Sequence, residues 1–566
     1  MPKKPATRVK NAWTSPGLGA ALIILLTVMA YLPAMGNGFI WDDDDHLTNN
    51  PSVLSDDGWV EIWSSLEASR YYPLTQTSFW VQHHLWGLRP RPYHVVNIAL
   101  HAANAALLWV VLRRLKVPGA WVAAAVWAVH PVNVETVAWV TELKNTQSGF
   151  FFLLALWLFL QFEDESHPQD YMLAFLCGVA AMLSKPSTVV LPGVILCCAW
   201  WRRRRWTSID LLRVAPLALA GFGMSVLTIV EQRHHVAGEI TSDWTLSVMQ
   251  RVVLAGRAVW FYAGKVVWPA DFCFIYPRWD LQVHSVVGWL PLAGLGFLAT
   301  ALWLFRRERW AQAAAFGIGC FITCLLPVLG FLNIYFFRYS FVADHFQYLA
   351  SMGLVALVVG AGTMISQRAG ERGRLLGVIV SAIMLLSLGL STWAQSHYYH
   401  DDETLWRATL SENPDCWLAH TNLGRDLSQN GHLPEAIAHW EQALRVKPDF
   451  SEAHYDLGVA LARSDKLPEA IAHWEQALRT EPEYPELHYN LGVALARLGR
   501  TREAVEHFQH VLRIDPNFAE AHYQLGMALE KVNNFREAAH QYEEALRTKP
   551  DLVDAQQRLA RLRSAP

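Results

Sequence analysis

Two patterns of apolar and polar positions divide the chain near residue 396. Before that point, apolar runs of membrane-spanning length follow one another with few charges. After it, apolar positions recur at helical spacing among many charges. Spanning helices are expected near 17–36, 94–113, 119–132, 146–162, 171–184, 187–201, 212–231, 284–305, 311–332, 346–366 and 374–396. The run 251–268 carries Arg251, Arg257 and Lys265, so it is expected as an interfacial or re-entrant segment. The pattern predicts an all-α protein. It begins with a basic tail (1–16) and a polytopic membrane domain (17–396) of about eleven transmembrane helices.

Charge orients these helices. Even-numbered ones end in RRLK (113–116), RRRR (202–205), RRER (306–309) and SQRAGERGR (366–374). Basic loops on one side mark the cytoplasm, and only the EDES loop (163–166) fits poorly. Eleven crossings put the long loop 37–93 and the C-terminal region outside. The first apolar run follows a basic tail and lacks a convincing cleavage site, so it is expected to be retained.

Beyond 400 the chain repeats every 34 residues. Leu-Gly recurs at 423–424, 457–458, 491–492 and 525–526, and alanine at 436, 470, 504 and 538. An aromatic recurs at Trp440, Trp474, Phe508 and Tyr542, and proline closes each unit at 448, 482, 516 and 550. Glycine and alanine let two helices approach, the aromatic fills the gap, and proline ends the second helix. The pattern resembles the tetratricopeptide repeat and implies an α-solenoid: linker and half-repeat 397–415, four repeats over 416–551, and a capping helix over 552–566.

Composition agrees with this division: 52% of residues are hydrophobic, only 17% are charged, and tryptophans number 26. The net charge of −3 offers nothing to nucleic acid. Seven cysteines, mostly in apolar runs, read as small core residues rather than as disulfides or zinc ligands.

The candidate chemistry begins at GNGFIWDDDDHLTNN, with Asp42, Asp43, Asp44 and Asp45 just outside the first helix. Taken alone, the run leaves open a solvated turn, a metal site, or a general base whose clustered carboxylates hold one another partly protonated. Its surroundings resemble the transmembrane and tetratricopeptide-repeat-containing family of protein O-mannosyltransferase-like glycosyltransferases. The residues that carry the likeness are Phe39-Ile40-Trp41-Asp42-Asp43, the trailing Asn49-Asn50-Pro51, the stretch 70–87, and His94, Asn97 and His101. Further ones are His130-Pro131 with Glu135, LSKPSTVVLP (183–192) and SFVADHFQYLAS (340–351). The chain departs from the family at Tyr72, at Asn145 where aspartate is frequent, and at Asp344-His345 where Glu-Arg is common.

The resemblance implies an inverting sugar transfer, with mannose the expected sugar, from a polyprenyl-phosphate donor to a protein Ser/Thr hydroxyl, without a covalent enzyme intermediate. It singles out Asp42 and Asp43 for the catalytic base, leaves Asp44 and Asp45 as lesser candidates, with Asp44 expected at the substrate, and implies that Glu135 orients the acceptor or helps hold a cation. No metal ligands are assigned, though a divalent cation is compatible. Candidate partners for the leaving phosphate are Lys144, Arg338 and His345, with Arg70 and Arg278 behind them. In the repeats, Tyr455 and Tyr489 with Asn422 and Asn490 are expected to line a groove that binds an extended protein acceptor. The regular His420, His454, His488 and His522 are expected to pack rather than ligate.

Two alternatives remain: a non-catalytic membrane-anchored scaffold, and a transferase acting on a surface glycan. Without a glycosylation sequon or lumenal retention tail, a bacterial inner membrane with the array in the periplasm is expected, with the endoplasmic reticulum membrane as the alternative.

Overall fold

The computed structural model describes residues 16–65, 72–236 and 246–564. Among the described residues the chain is helical, with no strand, and it divides into two compact units, Met1–Ala408 and Thr409–Pro566.

In the first unit each expected spanning segment overlaps a helix over most of its length. Among the described residues, seven helices are long and apolar enough to cross a membrane: Pro90–Arg114, Val140–Glu165, Ser208–Glu231, Val286–Leu304, Arg309–Val328, Asp344–Arg368 and Gly370–Tyr399. Gly17–Ala30 is apolar but shorter. The segments expected at 171–184 and 187–201 lie on helices of 17 and 13 residues, Pro168–Ser184 and Leu191–Arg203. The one expected at 119–132 is a nine-residue helix, Ala120–Ala128, against the roughly 20 residues a bilayer core requires. Short turns follow it, and the whole stretch 123–149 is buried within the unit. Protein rather than lipid therefore surrounds that broken path, the setting in which irregular backbone is tolerated.

The ambiguous run 251–268 is a continuous helix, Val248–Val267, and its cations are occupied. Arg251 donates to the Gly330 carbonyl at 2.6 Å and to Asn333 at 2.6 Å. Arg257 lies over the Trp279 ring, and Lys265 donates to the carbonyls of Ala270 and Asp271.

The acidic EDES loop has a physical explanation. Arg114 pairs with Asp164 at 2.8 Å and Glu165 at 3.3 Å. Arg202 and Arg203 pair with Glu163 at 3.2 and 2.7 Å, Arg202 also with Asp164, and Arg203 also with Asp210. Arg309 lies near Arg204. One end of the bundle is thus basic, and the acidic loop is its counter-charge. At the other end, Thr75 donates to the Ser184 carbonyl, and the aspartate run meets residues 139–145.

The second unit repeats one helix pair four times, from Trp417–Gln429 with Leu433–Val446 to Ala519–Lys531 with Phe535–Thr548, and ends in Val553–Ser564. A Cβ built on Gly424, Gly458, Gly492 or Gly526 would lie 2.4–2.7 Å from Trp440, Trp474, Phe508 or Tyr542. Ala436, Ala470, Ala504 and Ala538 are fully buried. Each repeat is held by the same local contact, which is why the array repeats.

Candidate active site

The loop after the first helix is tethered before it reaches the aspartates. Gly38 N–H donates to the His400 carbonyl at 2.8 Å, and Asn37 donates to the Ser396 carbonyl at 3.1 Å. The Trp41 N–H donates to Asp402 at 2.8 Å. Trp41 has φ +44°, a strained conformation for a bulky residue. An aromatic enclosure holds it there: Trp139 stacks at 5.5 Å, and Phe274, Tyr339 and Trp406 meet it edge-on at 5.3–6.0 Å. Strained backbone of this kind persists only where its surroundings over-determine it.

After Trp41 the four aspartates separate. Asp43 is wholly buried. Its Oδ1 accepts from the Thr141 N–H at 2.7 Å and the Thr141 hydroxyl at 2.6 Å, and its Oδ2 accepts from the Ile40 N–H at 2.9 Å. Burial pushes its carboxyl up to about 7, with the charge of Asp42 adding to the rise and the three hydrogen bonds opposing it. Asp42 keeps a small exposed edge, its side chain 11% accessible, and its Oδ2 lies 3.4 Å from Nε2 of His46. Asp44 is exposed and accepts from the Thr48 hydroxyl at 2.6 Å. Asp45 is exposed.

Thr141 links this loop to the start of helix Leu143–Glu165. Glu142, also buried, lies 3.0 Å from the Lys144 ammonium and 3.8 Å from that of Lys185, and it accepts from Asn145. Lys185 donates to Asn145 Oδ1 at 2.7 Å. Burial holds the Lys185 ammonium down to about 8, against the pull of Glu142. The Asn145 amide also donates to the His345 carbonyl at 2.9 Å. Glu135 accepts from the His345 backbone N–H at 2.9 Å and sits 2.7 Å from its Nδ1. Lys144 lies over the Trp139 ring.

The fold therefore brings together Asp42, Asp43, Lys144, Glu135 and His345. Arg338 is adjacent, stacked over Tyr335 and Tyr339, of which Tyr339 touches Trp41. Arg278 lies over Phe341 instead, and Arg70 lies outside the described residues. Residue types and spacing did not single out Thr141, Glu142, Lys185 or His46. Lys185 stands in the recognised block 183–192, and that was its only signal. Among the described residues, the three-residue group with ligand atoms close enough for a metal ion is Glu165, His167 and Asp170, at the basic end and away from the aspartates.

In the second unit the regularly spaced His420, His454, His488 and His522 point Nε2 at the carbonyls of Pro414, Pro448, Pro482 and Pro516 at 2.9–3.1 Å. His420, His454 and His488 pair through Nδ1 with His439, His473 and His507 at 2.9 Å, and Gln541 takes that place opposite His522. Asn490 donates to the Tyr455 hydroxyl at 3.4 Å, and Tyr489 hydrogen-bonds Gln524 and stacks on Phe518. The buried Nδ2 of Asn422 finds no partner among the described residues. Tyr455 with Asn490, and Tyr489 with Gln524, thus link neighbouring repeats, while Asn422 stands outside these links.

Residues 73–227 match the dolichyl-phosphate-mannose-protein mannosyltransferase family, and tetratricopeptide repeat families match 421–473, 463–499, 485–518 and 519–552. The protein O-mannosyl-transferase F38B6.6 of Caenorhabditis elegans is 25% identical over 455 residues, covering 75% of this chain and 62% of its own. The protein O-mannosyl-transferase TMTC4 of Mus musculus is 25% identical over 496 residues, covering 75% and 66%. The protein O-mannosyl-transferase tmtc2 of Xenopus laevis is 30% identical over 174 residues, covering 29% and 20%. The chain spans less than two thirds of the length of these relatives. Among solved structures, YrrB, a TPR protein with an unusual peptide-binding site, aligns at 26% identity over 28% of this chain and 81% of its own, with a TM-score of 0.27. The chain thus joins a helical unit whose residues 73–227 match the dolichyl-phosphate-mannose-protein mannosyltransferase family to a C-terminal array of tetratricopeptide repeats, and the relatives it resembles are proteins named protein O-mannosyl-transferases.

Proposed function

We propose that the protein transfers mannose from a polyprenyl-phosphate donor to Ser/Thr hydroxyls of a protein acceptor. The reading rests on Asp42 keeping an exposed edge next to Asp43, whose carboxylate binds Thr141 in the same segment where Lys144 and Lys185 gather around Glu142.

Asp42 has the exposed edge a base needs, while both oxygens of Asp43 are enclosed and occupied. Asp42 takes the acceptor's hydroxyl proton as its oxygen bonds to the anomeric carbon from the face opposite the phosphate. The bond from that carbon to the phosphate oxygen breaks, and its electron pair leaves on the phosphate. Lys144 and Lys185, with Arg338 nearby, stabilise the developing charge. Configuration inverts, and no covalent enzyme intermediate forms. Asp43 fixes the catalytic loop against Thr141. Glu135 orients His345, which borders the acceptor's approach. The array carries the acceptor protein along the groove of Asn422, Tyr455, Tyr489 and Asn490.

The basic end of the bundle, with Arg114, Arg202, Arg203 and Arg309, favours the cytoplasm, so the aspartate end faces outward. We assign the protein to a bacterial inner membrane, with undecaprenyl phosphate as carrier and the array in the periplasm.

The test uses purified full-length chain, undecaprenyl-phosphate mannose and a Ser/Thr-rich peptide. Asp42→Asn is expected to lower transfer by about 10²–10⁴-fold, the usual worth of a general base. Lys144→Ala and Lys185→Ala are each expected to lower it roughly 10-fold or more through lost charge-assisted contacts. Wild-type rates in folded Asp42→Asn would end this reading.

A further inference from the structure

The two helices that carry the candidate site's lysines form a hairpin, and its closed end gathers a second cluster of side chains. Helix Leu143–Glu165 has Lys144 in its first turn, and helix Pro168–Ser184 stops one residue before Lys185. Near the lysines, Gln147 donates to the Ser184 hydroxyl at 3.2 Å; at the far end, Phe162 meets Tyr171 at 5.2 Å between ring centroids. Only Ser166 and His167 join the helices, and Ser166 takes the left-handed conformation, φ +61°, that commonly ends a helix. This sharp reversal brings Glu165 and His167 beside Asp170, in the first turn of the second helix.

Three ligand atoms converge there. His167 Nδ1 lies 3.5 Å from Glu165 Oε2 and 3.8 Å from Asp170 Oδ2, and all three atoms fall within 4.8 Å of one another. These separations are long for hydrogen bonds. They are close to the spacing of ligand atoms around one tetrahedral zinc ion, where bonds of about 2.0–2.2 Å set neighbours roughly 3.3–3.6 Å apart.

Asp170 gives the independent sign. It is 6% exposed, and its Oδ2, the atom turned toward His167, has no hydrogen-bond partner. A buried polar atom left in that state is costly, and native proteins pair such groups. The nearby arginines are engaged elsewhere, Arg114 with Asp164 and Glu165, and Arg202 and Arg203 with Glu163. Arg114 takes Oε1 of Glu165, which leaves Oε2 as the oxygen facing His167.

We propose that Glu165, His167 and Asp170 bind one divalent transition-metal ion, zinc by preference, at the basic end of the bundle. One imidazole and two carboxylates suit zinc, with a fourth position left for water. Magnesium, which favours an octahedron of oxygens, fits this donor set poorly. The ion clips the turn that sets the two helices side by side. It lies at the opposite end of the hairpin from Lys144 and Lys185 and takes no part in transfer, so the proposal stands apart from the reading of Asp42 as the base.

The first test is equilibrium dialysis of untagged full-length chain against Zn²⁺ alone, with Mg²⁺ as control, for wild type and His167→Ala. The His167 side chain is 57% exposed and makes no capping hydrogen bond, so its loss spares the fold. Wild type should take up one more zinc per chain than His167→Ala, or bind that zinc at least about 10-fold more tightly, and Mg²⁺ should not displace it. Equal zinc uptake by the two overturns the proposal, whatever zinc the histidine pairs of the array hold.

Asp170→Asn supplies the second test, because an amide nitrogen there can donate to His167 Nδ1. Without zinc this variant should melt at or above wild type. Zinc should then raise the melting of wild type alone and slow its hydrogen exchange across 163–171. The competing account is that Asp170 only complements the positive end of its helix. In that case Asp170→Asn melts below wild type without zinc, zinc moves neither protein, and the proposal falls.

Discussion

The two units are both helical, yet they are held together at different ranges along the chain. In the array, each aromatic sits on a glycine 16 residues away, as Trp474 does on Gly458, and each of the regularly spaced histidines meets a partner 19 residues on. In the membrane unit, the contacts that make the site join residues 98 apart (Asp43 and Thr141), 200 apart (Asn145 and His345) and 361 apart (Trp41 and Asp402). A repeat is stabilised by copies of one local contact. The candidate site is stabilised by single long-range contacts that nothing else duplicates. Damage should therefore stay graded in the array and become severe in the membrane unit.

The sharpest way to break that contrast is Asp43→Ala. It leaves the Thr141 N–H, the Thr141 hydroxyl and the Ile40 N–H buried without their acceptor, at about 1–3 kcal/mol each. A loss of roughly 3–9 kcal/mol is expected in the unfolding of the membrane unit, with the array's transition unmoved in calorimetry. A shift below about 1 kcal/mol would mean the loop is held elsewhere.

Next in size is Trp474→Ala, which empties the gap between two helices and should cost the array about 3–5 kcal/mol. Hydrogen exchange should find the loss concentrated in the repeat around 451–480 and its neighbours, because each repeat leans only on adjacent ones. Uniform loss across all four repeats would contradict that picture.

Gly458→Ala is smaller. Its Cβ would lie 2.4 Å from Trp474 Nε1, so the indole must shift, for about 1–3 kcal/mol. The same substitution at Gly431, in a left-handed turn with open space around it, tests strain rather than crowding and should cost about 1 kcal/mol. Thermal melts of the two variants would rank them.

The smallest effect is one of pH, and it has opposite signs in the two units. The Asp43 carboxyl titrates near 7 when folded, above its ordinary 3.8. Its stabilising contribution is complete below about 4 and is lost as pH rises to about 7. In the array, burial holds His420, His454, His473 and His488 below the ordinary 6.5, and burial with neighbouring histidines holds His507 at about 4. Their contribution is present above 6.5 and is lost as pH falls toward 4. Between pH 7 and pH 5 the array's transition should fall while the Asp43 contribution to the membrane unit grows. Asp43→Asn should remove the latter dependence and leave the former.

Legibility in the sequence followed the same divide. The array was readable position by position, since glycine, alanine, aromatic and proline recur at one period and each packs as the period predicts. The apolar runs located the helices of the membrane unit. They did not reveal that Ala120–Ala128 is too short to span, because its continuation is enclosed by protein and so stays apolar. The acidic loop at 163–166 looked anomalous until Arg114, Arg202 and Arg203 were found beside it.

Sequence by itself determined an all-helical chain, an apolar unit followed by a repeat array, and a run of four aspartates beside a recognisable motif. Only the tertiary structure separated those aspartates, enclosing Asp43 under Thr141, leaving Asp42 an open edge over His46, and keeping Asp44 and Asp45 in solvent. Only it drew Lys185 and Glu142 to the same place. The physical reason is range. Periodicity reports what a residue does to neighbours within a few turns, while burial and charge pairing at the site are set by segments that meet from opposite ends of the membrane unit's sequence.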